Sequence, residues 1–344
     1  MRSGFCFRNI NSTRISQELK WMKRNKEFVY RSIDRSKPYL YHILTYLEKR
    51  NLPHELALLP MVESGFQPYA YSSSRAAGIW QFIPATAREY GLKMNWQYDG
   101  RRDVLESTKA ATYFLSDMYR HFKGNWLLAI ASYNTGAGNV RKAINRANNL
   151  FTEPSYWDLD LPRETELYVP RLLALSKIVA NPKKYGFNLP DIENTKFTTT
   201  VRFRDKIDFK TLSIITGISE DELVHLNPGF STWLMNPSQQ NSLLLPTKAA
   251  KTFNSRYNKI AKLIYENKAH KVIKGDSLYK ISRIYNVKIN ALKKANNLTK
   301  DIIYIGQKLN IPSEMSTTSK EFITVNGKKY FVNKKEIVFN HIIK

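Results

Sequence analysis

The apolar pattern of this chain changes period partway along. Up to about residue 185, apolar side chains recur three and four positions apart, the spacing of one helix face. From residue 196 they come in short runs rich in β-branched residues, separated by helical turns. A chain patterned in this way cannot close a single bundle or a single sheet over its whole length. It is expected to be an α+β multidomain protein, a mainly α block followed by smaller mixed modules, and 344 residues suffice for two or three domains.

In the helical block, Trp21, Phe28, Val29, Ile33, Tyr39, Ile43 and Leu47 mark 12–50 as two helices interrupted at Pro38. A helix is expected over 54–63, with Pro60 as its kink or late break. Residues 64–82 read as a loop with a short helix. Asp103 is placed to cap a helix reaching about His121, striped by Ala110, Ala111, Phe114, Leu115 and Met118. Further helices run through Trp126 and Ile130 into Tyr133-Asn134-Thr135-Gly136, through Val140 and Ile144, and from about Glu164 past Ile178.

The second half repeats itself. A strand at 196–204 is followed by Leu212, Ile215, Leu223, Leu226-Asn227 and then Leu243-Leu244-Leu245-Pro246. A strand at 272–274 is followed by Leu278, Ile281, Val287, Leu292, Asn296-Asn297 and Leu309-Asn310-Ile311-Pro312. These are two small βααβ modules of about 45 residues each. The Lys-rich stretch between them reads as a helix or a linker. Ile323-Thr324-Val325 and Tyr330-Phe331-Val332 around Asn326-Gly327 read as a hairpin.

The formal charge of +25 is concentrated at the ends. Residues 251–344 hold 20 Lys and Arg against 6 Asp and Glu, and residues 1–50 hold 12 against 4. Basic ends suit anionic polymers such as nucleic acid, an anionic membrane face or carboxylate-bearing cell-wall glycan. Clustered sheet aromatics and a helix-turn-helix signature are both missing, so no nucleic-acid partner is expected. No stretch reaches the roughly 18 apolar residues of a membrane span. The start, Met1-Arg2-Ser3-Gly4-Phe5, lacks the apolar core of a readable signal peptide. Cys6, the only cysteine, forms no intrachain disulfide; with no apolar segment before it, it reads as an ordinary free thiol rather than a lipid-anchor site. His54-Glu55 begins like a zinc-protease helix but lacks the second histidine, so no metal and no cofactor are expected.

Glu63 ends the apolar run Leu56-Ala57-Leu58-Leu59-Pro60-Met61-Val62 and precedes Ser64-Gly65. A carboxyl there loses solvation, which favours its neutral form and suits it to protonate a glycosidic oxygen. Three stretches follow the chemistry of sugar binding, mixing rings with directed polar groups: Glu63-Ser64-Gly65-Phe66-Gln67-Pro68-Tyr69-Ala70-Tyr71-Ser72, Ala77-Gly78-Ile79-Trp80-Gln81 and Ala131-Ser132-Tyr133-Asn134-Thr135-Gly136. Trp80 is expected to stack on sugar.

In this order the stretches resemble the soluble-lytic-transglycosylase family, whose fold is lysozyme-like. Ile79-Trp80, Ser132 and Thr135, with Asp99-Gly100-Arg101-Arg102-Asp103 and Pro162-Arg163-Glu164-Thr165-Glu166-Leu167-Tyr168-Val169-Pro170, resemble a membrane-bound subgroup of it. The repeats resemble LysM domains. The second is the clearer copy, through Gly275-Asp276-Ser277-Leu278 and Gly306-Gln307-Lys308-Leu309, and the first is degenerate. The resemblance implies Glu63 as the single catalytic acid/base. It implies Ser72, Gln81, Tyr133, Asn134 and Tyr168 as substrate-binding residues, and Gly275, Asp276, Ser277 and Leu278 as glycan-binding.

The implied activity is cleavage of the β-1,4 bond between N-acetylmuramic acid and N-acetylglucosamine in peptidoglycan, leaving a 1,6-anhydromuramoyl end. A lysozyme-type hydrolase and a non-catalytic wall-binding protein stand as alternatives. Glu164 and Glu166 are the nearest rival acids and read as ion-paired or helix-starting residues. The expected organisation is 1–50 as N-terminal helices packing on a catalytic domain at 51–190, a degenerate LysM-like module at 196–248, a linker at 249–267, a LysM domain at 268–313 and a basic tail at 314–344. The expected partner is the peptidoglycan glycan strand, engaged by a monomer in the periplasm or cell envelope. Membrane association, peripheral or through a lipid anchor, stays open.

Overall fold

Prolines and left-handed residues decide where the helices of the N-terminal block begin and end. The computed structural model describes residues 1–147, 154–266, 269–285 and 287–311, and the backbone of 321–325, 328–332 and 339–341. It divides into two units: Met1–Thr198 with Asn227–Ser231, and Thr199–Leu226 with Thr232–Lys344.

The first unit is helical. Helices α1 (Thr13–Arg24), α2 (Lys26–Ser36) and α3 (Leu40–Glu48) occupy the stretch expected to hold two. The additional break falls at Asn25, whose side-chain amide donates to Trp21 O at 2.8 Å and closes α1. A 3₁₀ turn at His54–Leu58 leads into α4 (Leu59–Ser64). Pro60 stands in the first turn of α4, where its missing N–H has no partner to lose. It therefore starts this helix rather than breaking it.

Past Ser64, residues 65–82 hold no helix. They fold as a loop pinned by the bridges Tyr71↔Ala77 and Ala77↔Phe82, and the short helix α5 (Pro84–Glu89) follows. Asp103 caps α6 (Val104–His121), accepting from Leu105 N and Glu106 N at 3.0 Å each. Next come α7 (Trp126–Thr135) and α8 (Ala137–Ala147), separated by Gly136, and then α9 (Arg163–Ala180).

Helix α9 contains Pro170, which removes one backbone donor and leaves the carbonyl four residues earlier without a helical partner. Tyr156 OH reaches it in part, its single proton shared between Thr165 O at 3.0 Å and Glu166 O at 3.2 Å. Helix α1 lies along α9, tied by Arg171 Nε to Glu18 Oε2 at 2.8 Å. The core is fully enclosed: Ile15, Met22, Val29, Ile43, Leu47, Leu56, Leu115, Ile130, Val169 and Leu172 are each 1% exposed or less. Burial of each such side chain contributes about 2 kcal/mol.

In the second unit, β1 (Thr198–Arg202), α10 (Phe209–Thr216), α11 (Glu220–Leu226) and β4 (Ser242–Pro246) follow the expected strand-helix-helix-strand order, with β2 (Ile207–Asp208) and β3 (Leu234–Met235) as an additional pair inside it. β1 pairs with β4, and β2 pairs antiparallel with β3. The stretch expected as a linker at 249–267 falls largely within α12 (Thr247–Glu266). Its Phe253 and Tyr257 rings stack at 4.9 Å and are buried, so this helix belongs to the packed module.

The next module comprises β5 (Ala269–Lys271), α13 (Leu278–Ile284), α14 (Ile289–Ala295) and β6 (Lys308–Asn310). β5 and β6 pair antiparallel, with His270 opposite Leu309. The first strand lies earlier than the 272–274 expected. Asp276 Oδ2 accepts from Ile273 N at 3.0 Å and draws that backbone into a turn.

β7 (Glu321–Val325), β8 (Lys328–Val332) and β9 (Phe339–His341) form an antiparallel meander. Asn326-Gly327, the expected turn, and Pro312 lie outside the described residues.

Gly78 gives a sharp test of the loop. Its φ is +80°, and an added Cβ would lie 2.0 Å from Arg101 O. Gly136, at φ +85°, has open space around it. Gly78→Ala is expected to destabilise by 3 kcal/mol or more, against about 1 kcal/mol for Gly136→Ala, as read from denaturant midpoints.

Candidate active site

Helix α4 is six residues long and ends abruptly. Gly65 adopts φ +58°, its N–H returns to Met61 O at 3.1 Å, and Phe66 N–H returns to Pro60 O at 3.0 Å. This left-handed stop sets the last turn of the helix. Met61 faces the core at 1% exposure, and Glu63 keeps a partly exposed edge. Burial, opposed by a hydrogen bond from Tyr168 OH to Oε1 and assisted by the nearby charge of Glu164, pushes the Glu63 carboxyl up to about 8. At neutral pH it is a protonated acid. With Oε1 accepting from Tyr168, Oε2 is the oxygen that can carry the proton outward.

Burial and the Glu63 carboxylate also push the Tyr168 phenol well above its ordinary range, so it remains a donor. Tyr168 stands on α9 and is 4% exposed. Tyr133, at the end of α7, is electrostatically coupled to both. Its hydroxyl donates to Trp80 O at 2.8 Å, and its ring packs on Phe114 and Phe82.

The 78–81 turn is held from three sides. Ser64 Oγ donates to Ile79 O at 3.1 Å, Tyr133 holds Trp80 O, and Gln81 Nε2 donates to Gly78 O at 2.8 Å. Gln81 Nε2 also reaches Ala70 O at 3.4 Å, linking this turn to the 63–72 loop. Ser72 sits further along that loop, its Oγ accepting from Ala76 N at 3.0 Å.

Asn134 is fixed from both ends of its amide. Thr165 Oγ1 donates to Asn134 Oδ1 at 2.7 Å, and Asn134 Nδ2 donates to Glu164 Oε1 at 3.2 Å. One N–H of Asn134 is left for a substrate acceptor. The two rival acids differ in their partners: Glu166 pairs with Arg163 and Arg14 at 3.2 and 3.6 Å, and Glu164 receives Asn134.

The structure thus assembles Glu63, Tyr168, Tyr133, Asn134 and Gln81, with Ser72 at the edge of the same loop. Ser64 and Thr165 fasten the assembly and were assigned no role from sequence. Trp80 is the correction here. It is 0% exposed and its indole donates to Thr108 Oγ1 at 2.9 Å, so it fills core and cannot stack on sugar. A cavity of about 400 Å³ lies elsewhere in the unit, lined by Ile33, Leu40, Ala57, Leu58, Met61 and Phe66. It contains neither Glu63 nor any of the polar groups around it.

In the Gly275–Leu278 motif two side chains face inward, while Gly275 and Ser277 are exposed. Leu278 is buried in its module's core at 3% exposure. The Asp276 side chain, 2% exposed, accepts from His270 Nε2 at 2.6 Å and from Ile273 N. These bonds, the Ile273 amide first, hold its carboxyl below the usual range. Ser277 caps α13 by accepting from Lys280 N at 3.1 Å, and Gly275 turns at φ +89°. The large apolar side chains exposed on the module include Ile273, Tyr279, Ile302, Tyr304 and Ile305.

A transglycosylase SLT domain matches residues 43–154, a LysM domain matches 270–312, and the lytic transglycosylase MltD LysM-like domain matches 197–262. The chain is 37% identical over 311 residues to the membrane-bound lytic murein transglycosylase D of Escherichia coli K12, covering 87% of this chain and 68% of that protein. It is 32% identical over 117 residues to a membrane-bound lytic murein transglycosylase F of Desulfosudis oleivorans, covering 31% of this chain and 24% of that one. It is 30% identical over 117 residues to the soluble lytic murein transglycosylase of Salmonella typhimurium, covering 33% and 18%. Identity sustained across both the Glu63 region and the modules places this chain in the membrane-bound lytic murein transglycosylase D family.

Proposed function

We propose that this chain is a peptidoglycan lytic transglycosylase that cleaves the β-1,4 bond between N-acetylmuramic acid and N-acetylglucosamine and leaves a 1,6-anhydromuramoyl end. The observation that carries the reading is a single desolvated carboxylic acid held by a phenol. Glu63 donates its proton to the glycosidic oxygen as the bond breaks. Positive charge develops at the muramoyl anomeric carbon. The new carboxylate is stabilised by Tyr168 OH and then takes the proton of the sugar's own C6 hydroxyl, whose oxygen closes onto that carbon. No water is consumed, because the nucleophile is already tethered at high effective concentration. Asn134, Gln81, Tyr133 and Ser72 hold the muramoyl residue in place.

The modules keep the enzyme on its polymer. In the second, Ile273 extends from one loop, Tyr279 from the first turn of α13, and Ile302, Tyr304 and Ile305 from another loop, and the two loops are joined through Val272 N to Gln307 O at 2.8 Å. Such a surface suits the apolar faces of N-acetylglucosamine. Tethering raises the local substrate concentration at Glu63. The chain is read as acting as a monomer. That substrate supports a working location in the cell envelope, on the periplasmic side of the inner membrane.

Mass spectrometry of the products tests the reaction: the new muramoyl end is expected to be one water lighter than a reducing end, and a reducing end would instead identify a lysozyme-type hydrolase. Glu63→Gln is expected to lower strand cleavage about a thousandfold. Parent activity is expected to fall as pH rises through about 8, where the acid loses its proton. The folded-state carboxyl titrates above the unfolded one, so the native state binds the extra proton between about pH 4.5 and 8 and loses stability as pH rises through that window. Glu63→Gln escapes this loss. Its melting temperature is expected to exceed the parent's by several degrees at pH 9 and to match it near pH 4. Tyr168→Phe removes the bond that favours the carboxylate. The upper limb of the pH–rate profile is expected to move to higher pH while kcat falls about tenfold.

A further inference from the structure

Two adjacent arginines beside the active-site loop are used in opposite ways. Arg101 is fully engaged: Nε and Nη2 grip Asp99 at 2.9 and 2.7 Å, and Nη1 donates to Arg75 O at 2.6 Å. Arg102 has no acidic partner among the described residues. Its guanidinium lies over the Tyr69 ring at 6.0 Å, and its Nε is buried without a hydrogen-bond partner. Nε is enclosed and cannot meet a ligand, but the guanidinium is only half-buried and has no ion pair among the described residues, so its Nη groups are the ones open to an anion from outside the chain.

Its location indicates which anion. The Arg102 backbone packs against Gly78, where a Cβ would lie 3.1 Å from Arg102 Cα. Gly78 O is the acceptor of Gln81, and Ala70, next to Tyr69, accepts from both Gly78 N at 3.1 Å and Gln81 Nε2. Arg102 and Tyr69 therefore flank the same knot of backbone that positions Gln81. The muramoyl sugar carries a peptide stem with free carboxylates, and a planar guanidinium matches a carboxylate bidentately.

We propose that Arg102, supported on the Tyr69 ring, is the binding site for a carboxylate of the substrate's peptide stem, so that the enzyme distinguishes stem-bearing glycan from stripped glycan. This deepens the transglycosylase reading and rests on it.

The test uses the full chain and its Arg102→Gln and Arg102→Lys variants on three substrates: strands with free stem carboxylates, strands with those carboxylates amidated, and strands stripped of stems by an amidase. Arg102→Gln is expected to raise KM about tenfold on free-carboxylate strands, the loss of one charge-assisted pair. On stripped strands its KM is expected to change by less than about twofold, a difference too small to count as a lost pair. Arg102→Lys falls between the two. Amidating the stems is expected to raise the parent's KM to that of Arg102→Gln and to leave the variant's KM unmoved. The amidation arm needs no mutation, so it holds even if a variant folds poorly. An equal KM change on all three substrates, or no response of the parent to amidation, overturns the assignment while leaving the transglycosylase reading intact. Absence of anhydro ends from the parent on every strand overturns both.

Discussion

The hydrogen bond from Tyr168 to Glu63 joins two elements far apart in sequence, and most of the first unit serves to hold its ends in place. One end depends on α4 stopping where it does, through the left-handed turn at Gly65. The other depends on α9, whose ladder is interrupted at Pro170 and partly repaired by Tyr156. Arg171 and Glu18 then clamp α9 to α1. A desolvated carboxyl is costly unless its surroundings are rigid, because any relaxation toward water would restore its ordinary acidity. The short loops around it are accordingly closed by directed bonds from Ser64, Gln81, Tyr133 and Thr165.

Neighbouring residues of one type are assigned opposite duties in this site. Arg101 is consumed internally by Asp99, whereas Arg102 is not. Glu166 is neutralised by two arginines, whereas Glu164 receives an amide and adds its charge to the field around Glu63. Tyr133 and Tyr168 both donate, one to a backbone carbonyl and one to the acid itself. Side-chain chemistry alone does not separate such pairs; the partner within reach does.

The same distinction explains what could be read from the sequence. The mainly helical block, the start of α6 at Asp103 and the end of α7 at Gly136 were legible, because capping and periodicity are local signals. Glu63 stood out because a carboxyl after an apolar run is locally anomalous. Pro60 was misread because proline marks both starts and breaks of helices, and only the chain before it tells which. Trp80 was misread because its fate depends on Thr108, a contact across 28 positions. Thr165 and Ser64 were passed over for the same reason: each acts on a group that is distant or unremarkable in sequence. Leu278 and Asp276 lie in a motif that matches its family well, yet pattern alone does not separate a residue that touches a ligand from one that shapes the loop.

The pairing of β5 with β6 joins the first and last strands of the second module, with His270 opposite Leu309. Its interior draws on both ends as well, from Val272 to Ile311. The module therefore cannot be completed piecemeal during synthesis. Until the Lys308–Asn310 segment has left the ribosome, β5 has an unpaired edge and the two helices lack a lid. Folding of the module then waits on one late, long-range closure.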